Sequence, residues 1–315
     1  MSDAVLVRGV GKQFAQVSAV HDIDFAVPKG SVTALVGPAG AGKSTVLRMV
    51  AGLQQPTTGR IEVPARGPAA IGAMLSPRGL HPARTVRDQL WCYAPVAGAS
   101  RRRVGAVLDE TGLTAASETV VTQLSPGQQT RLALAMALLA DPPLLVLDDL
   151  FAGANGIERG ALHDLLRRHA NRGGTVLVSS DALADVVAGA DQLVVLSEGT
   201  VVWQGTPAKL RRGHPDRLVI ASSPSIALAT ALAARGFTDA VMRPDGRLAV
   251  AEADEATIRA IAADAQVRIG NIAADPIHPD RVLASLTKPR RHRQTVATPN
   301  PPTYAPAPTS YGTPR

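Results

Sequence analysis

Aromatic residues are scarce in this 315-residue chain: four Phe, two Trp and three Tyr make up 3% of it. Single-strand nucleic-acid grooves stack bases on aromatic faces, so no nucleic-acid partner is expected. Cysteine is nearly absent. Cys92 stands alone, which excludes an internal disulfide, and neither a neighbouring His nor a helix start marks it as a reactive thiol. Long apolar runs are missing too. The longest helical one, residues 132–140, is stopped by Asp141-Pro142-Pro143 well short of a bilayer span. The start, Met1-Ser2-Asp3-Ala4-Val5, has neither the basic nor the apolar region of a secretory leader. His81, His163 and His169 have no second ligand at metal spacing, so they promise no metal site of their own.

What remains is ample for a core. Hydrophobic residues form 45% of the chain, and its length suits one large domain plus a small one. The net charge is +7, and Lys288, Arg290, Arg291, Arg293 and Arg315 supply five of those charges within a stretch that has no acid. With seven prolines, residues 287–315 read as a disordered basic tail, either solvated or touching anionic lipid headgroups.

The most informative stretch is Gly37-Pro38-Ala39-Gly40-Ala41-Gly42-Lys43-Ser44-Thr45, which fits G-x-x-x-x-G-K-[ST]. A polyphosphate needs several donors converging on one point, and a Gly-rich turn lets backbone N–H groups do so. Lys43 would reach the β- and γ-phosphates of ATP, and Ser44 would offer its hydroxyl to Mg²⁺. An apolar β-rich run, residues 32–36, precedes the loop. A helix is predicted after it, and its N-terminal dipole favours the same anion. Further on, Leu124-Ser125-Pro126-Gly127-Gln128-Gln129 precedes a helix predicted over 130–140. Then Leu144-Leu145-Val146-Leu147-Asp148-Asp149 reads as a strand buried on both faces with carboxylates at its tip. Open α/β sheets bind ligands at such tips.

With phosphate loop, signature and acidic strand in fixed order, residues 4–210 resemble the ATP-binding subunit of ABC transporters, and the extension over 216–286 resembles that of the family's drug- and antibiotic-export ATPases. The resemblance implies a P-loop α/β cassette over 1–212, with a helical subdomain at about 76–140. It implies that Asp148 helps Ser44 hold Mg²⁺, that Asp149 stands in the place of the catalytic glutamate, and that Lys43 serves binding and catalysis. Gly37, Gly40, Ala41, Gly42, Lys43, Ser44 and Thr45 would cradle ATP. Ser125, Gly127 and Gln128 would close over the nucleotide of a second cassette. Phe14 would stack on adenine, its ordinary alternative being a core residue. Residues 76–90 lie where a separate transmembrane permease subunit docks, which places the chain in the cytoplasm, peripheral to the inner face of the membrane.

Five positions depart from that family pattern. Asp149 is one methylene shorter than glutamate, and a general base must come within hydrogen-bond reach of its water. Asp181 follows Ser179-Ser180 where a histidine is usual; an ionised carboxylate repels a γ-phosphate. Ser76 replaces a glutamine, Pro126 replaces a glycine and removes a backbone donor, and Asn155 replaces an aspartate. Together they raise a second reading: a cassette that binds ATP but hydrolyses it poorly, as a regulatory or heterodimer partner. A third class, a soluble ABC ATPase acting on ribosomes or DNA, usually carries two cassettes or long inserted arms, and this chain has one cassette.

Strands are predicted at 4–8, 23–27, 32–36, 60–63 and 70–75, and a hairpin at 193–204 closes the cassette. From 216 to 286 the pattern is βαββαβ followed by a helix, a small α+β unit expected to be ferredoxin-like.

Overall fold

The computed structural model describes residues 2–287 apart from 66, 68, 214–216, 252, 276 and 277. The basic, proline-rich tail and its expected lipid contact lie outside the described residues. Its larger unit begins with β1 (Asp3–Phe14), β2 (Val17–Pro28), β3 (Val32–Val36), α1 (Lys43–Val50), β4 (Thr58–Glu62) and β5 (Ile71–Met74). A helical stretch follows: α2 (Val86–Tyr93), α3 (Arg101–Glu110) and α4 (Pro126–Leu138). Strand and helix then alternate through β6 (Leu144–Leu147), α5 (Gly156–Asn171), β7 (Thr175–Ser180), α6 (Leu183–Val186), β8 (Gln192–Ser197), β9 (Thr200–Gly205) and α7 (Pro207–Gly213).

The central sheet has the order β5-β6-β7-β3-β8-β9, parallel except for β9. Every residue of β3, β6 and β7 is buried, because helices or a second sheet cover both faces. That second sheet is antiparallel, in the order β2-β1-β4. It packs Val5, Val7, Ile23 and Phe25 against α1 and one face of the central sheet. The other face carries the second core, with Leu132 and Leu134 of α4, Leu165 and Leu166 of α5, and Leu90 of α2.

β1 and β2 are each 12 residues long, more than twice the expected strands. β1 runs through Gly9 and Gly11, absorbing them by irregularities in register against both of its neighbours. Gly9 has φ +57°, and its N–H donates to Asp24 Oδ1. The signature helix also starts earlier than predicted. Ser125 is its N-cap, with Pro126 at the first helical position, where a missing N–H costs no intrahelical bond.

The smaller unit comprises β10 (Arg217–Ser223), α8 (Ser225–Ala234), β11 (Val241–Met242), β12 (Leu248–Ala251), α9 (Glu255–Asp264) and β13 (Arg268–Asp275). Its sheet runs β11-β12-β10-β13 with every neighbour antiparallel. Ile220, Leu248 and Val250 meet Leu228, Leu232, Ile258 and Ile261 in a separate core. The last helix, α10 (Pro279–Leu286), does not join that core. Val282 and Leu283 enter the cassette core against α6, and Ser197 Oγ donates to Thr287 O. Leu283 is 7% exposed. Leu283→Ala is expected to destabilise the cassette by about 2–5 kcal/mol, read as a lowered denaturant midpoint. An unchanged midpoint would show that α10 merely rests on the surface.

Candidate functional site

The C-terminal tips of three adjacent strands, β6, β7 and β3, open into one cleft of about 360 Å³. The loop after β3 brings Gly40, Gly42, Lys43, Ser44 and Thr45 to it. The tip of β6 brings Asp148 and Asp149, and that of β7 brings Ser179 and Asp181. Ser76 beyond β5 and Ala19 of β2 complete the walls.

The glycines are there for steric reasons. A Cβ on Gly37 would sit 2.1 Å from Leu196 O, and one on Gly42 would sit 2.6 Å from Ala19 O. Gly40 and Gly42 also have φ of +80° and +97°, which L side chains rarely adopt. Gly42 caps α1, so the first N–H groups of that helix face the cleft. Gly37 and Ala41 are buried beneath the loop and support it rather than line the cleft.

Lys43 is 7% exposed, and its ammonium is fully partnered. Nζ donates to Gly37 O at 2.7 Å and to Pro38 O at 2.9 Å, and it pairs with Asp181 Oδ1 at 2.6 Å. Asp148 is buried and accepts from Ser179 Oγ at 2.6 Å. The same hydroxyl oxygen accepts the N–H of Asp149 at 2.9 Å. Ser179 thus fixes both acids, a role not assigned from sequence, although its place at the strand tip was visible there. Asp149 has φ +52°, so the chain turns sharply as it leaves β6. Asp149 lies at the cleft rim. Surrounding protein raises its carboxyl pKa above the ordinary 3.8, with the negative charges of Asp181 and then Asp148 adding to the shift.

A proton held more tightly in the folded state stabilises it at low pH, and that stability is lost as pH rises through the raised pKa. Asp149→Asn is therefore expected to raise the melting temperature at pH 7. The gain should vanish below pH 3.8, where Asp149 is protonated in both states. A gain of equal size at low pH would mean that packing, not charge, is responsible.

Other expected residues lie apart from this cleft. Ser125 caps α4 through a capping box, accepting from the N–H of Gln128 while Gln128 Oε1 accepts the N–H of Ser125. Gly127 packs on Glu158, whose carboxylate would sit 2.9 Å from a Cβ there. None of these three residues lines the phosphate-loop cleft. Phe14 ends β1, is 42% exposed, and has Lys12 Nζ 5.1 Å from its ring centroid. It is neither a core residue nor part of the cleft wall. Asn155 caps α5 in a second capping box with Glu158. His163 Nε2 lies 2.7 Å from Asp185 O, and burial lowers its pKa. Burial likewise lowers that of His169. Among the described residues no cluster of three or more His, Cys, Asp or Glu is arranged to hold a metal. Nor is any helix among them long and apolar enough to cross a membrane.

Ser44 and Asp148 offer a hydroxyl and a carboxylate in the same cleft. Mg²⁺ favours such hard oxygen donors, and it typically takes few from protein and the rest from phosphates and water. The donor set therefore fits Mg²⁺ carried in with a nucleotide.

The ABC transporter family profile matches residues 20–152. The Nod factor export ATP-binding protein I of Bradyrhizobium diazoefficiens is 34% identical over 67% of this chain and 73% of its own length. A sulfate/thiosulfate import ATP-binding protein of Mycobacterium bovis is 35% identical, over 66% of this chain and 62% of that one. Among solved structures, an ATP-binding subunit of an ABC transporter superposes with a TM-score of 0.60 at 26% identity, over 67% of this chain and 92% of that chain. The order of phosphate loop, signature helix and acidic strand, the sheet that carries them, and these likenesses agree: the chain belongs to the ABC transporter ATP-binding cassettes, a family of ATPases.

Proposed function

We propose that the chain is the ATP-binding subunit of an ABC exporter, working with a separate transmembrane subunit on the inner face of the cell membrane. Residues 1–212 are the cassette and 216–286 an accessory unit. The accessory unit's strand order, second-third-first-fourth with all neighbours antiparallel, supports the ferredoxin-like reading. Likeness to a Nod factor export protein supports export. The sulfate import protein matches at a similar identity, so direction is assigned to the membrane subunit rather than to cassette chemistry.

Lys43 and the loop N–H groups bind the ATP phosphates, Ser44 and Asp148 hold Mg²⁺, and Asp149 faces the γ-phosphate. Mg²⁺ supplies charge neutralisation along the phosphates. The observation that carries the reading is the division of the site: Lys43, Ser44 and Asp148 share one cleft, while Ser125, Gly127 and Gln128 stand outside it at the start of α4. A second cassette completes the site, its signature helix pointing N–H groups at the γ-phosphate. Mg-ATP should therefore convert the purified chain from monomer to dimer in light scattering, most visibly in Asp149→Asn, which cannot hydrolyse. A monomer at saturating Mg-ATP, alone or with a partner cassette, sinks the composite site.

The second reading, slow hydrolysis, is favoured by Asp181 on Lys43 and by the short arm of Asp149. Both readings share nucleotide binding and differ in turnover.

A further inference from the structure

The ion pair between Lys43 and Asp181 goes further than slow hydrolysis. We propose that Asp181 is a specificity-determining residue that sets this cassette's preference between nucleoside di- and triphosphate, by holding a fixed negative charge at the γ-phosphate end of the cleft. The inference rests on the reading of the cleft as a nucleotide site.

Three observations carry it. First, the Lys43 ammonium has three donors, and Gly37 O, Pro38 O and Asp181 Oδ1 take them all. A carboxylate thus already occupies the one direction in which this lysine can serve a phosphate. Second, Asp181 leaves the tip of β7, the strand beside β6, whose tip carries Asp149 into the same cleft. The proposed function sets Asp149 at the γ-phosphate, so Asp181 shares that end of the cleft. Third, the backbone of Asp181 cannot retreat. The preceding Ser180 accepts the N–H of Gly37 through its carbonyl, and its hydroxyl accepts the N–H of Ala182. Ser180 Oγ also reaches Ala182 O and Asp185 Oδ2, and α6 begins at Leu183, which is buried. The side chain is 58% exposed, but its Cα stays beside the loop.

A nucleoside diphosphate draws Lys43 to its β-phosphate and leaves the space beyond it to the Asp181 carboxylate. A triphosphate must displace the carboxylate and then sit beside it, and like charges at such range are costly even when partly screened. The expected consequence is a cassette that binds Mg-ADP as well as or better than Mg-ATP.

The test is calorimetric titration of the full-length chain and of Asp181→Asn with Mg-ATP and with Mg-ADP. Asn keeps the shape and removes the charge. The expected result is about a tenfold or larger tightening for Mg-ATP, a factor of ten being about 1.4 kcal/mol. Mg-ADP should change by less than about threefold, the spread that uncoupled surface changes produce. Asp181→Glu, which keeps the charge, should keep the parental ratio. Asp181→Ser repeats the charge removal should Asn fold poorly. An unchanged ATP/ADP ratio in both uncharged variants overturns the proposal. An equal gain for both nucleotides also overturns it, because Asp181 would then only compete for Lys43. Binding of neither nucleotide by any of the chains removes the nucleotide site itself, and this inference with it.

Discussion

Lys43→Ala is expected to weaken nucleotide binding by about a hundredfold or more while barely changing the melting temperature. Charge-assisted hydrogen bonds to phosphate contribute about 1.5–3 kcal/mol each, and Lys43 is the cation seated within the loop. Its removal does more than delete donors. Asp148, Asp149 and Asp181 line the same cleft, and Lys43 is the ammonium ion-paired to one of them. Without it, three carboxylates face an incoming polyphosphate with no ammonium seated among them. Stability should hold because Asp181, 58% exposed, turns to water once its partner is gone. Binding within about threefold of the parent, by the same titration, would move the phosphate site away from this cleft.

Asp149→Glu is expected to raise ATP turnover by about tenfold or more without tightening ATP binding. A positioned general base contributes about 10²–10⁴ in rate, and reach is the first requirement on it. Asp149 is tied at its backbone to Ser179 Oγ and turned by its φ of +52°, so its Cβ cannot advance. One extra methylene supplies the missing length. Its raised pKa does not compensate, since a base that holds its proton more tightly is still useless out of reach. Turnover and dissociation constant measured on one preparation separate the effects. An unchanged rate would put the limit at Asp181 or at a missing partner cassette, and Asp149→Glu combined with Asp181→His would then decide between them.

Much of this site was legible in the sequence because its information is local. The phosphate loop is nine contiguous residues, and β6 announces its burial by being apolar at every position. The start of α4 was legible but misplaced: Ser125 and Gln128 stand at capping-box spacing around Pro126, a stronger signal than the apolar run that followed. Other features could not be read. Lys43 and Asp181 are far apart in sequence and meet only because β3 and β7 are neighbours in the sheet. Sequence periodicity made α10 amphipathic without saying which core its apolar face would enter; Val282 and Leu283 enter the cassette core. By sequence Phe14 suits either a core or an adenine contact, and the folded chain leaves it exposed at a hairpin end under Lys12.

The most direct measurement is Mg-ATP binding and ATP hydrolysis on the same purified full-length chain, with Lys43→Ala beside it. Saturable binding that Lys43→Ala abolishes, with turnover far slower than binding and quickened by Asp149→Glu, is the predicted result. No saturable binding, or binding and turnover that survive in Lys43→Ala, would contradict the assignment of this cleft as the nucleotide site.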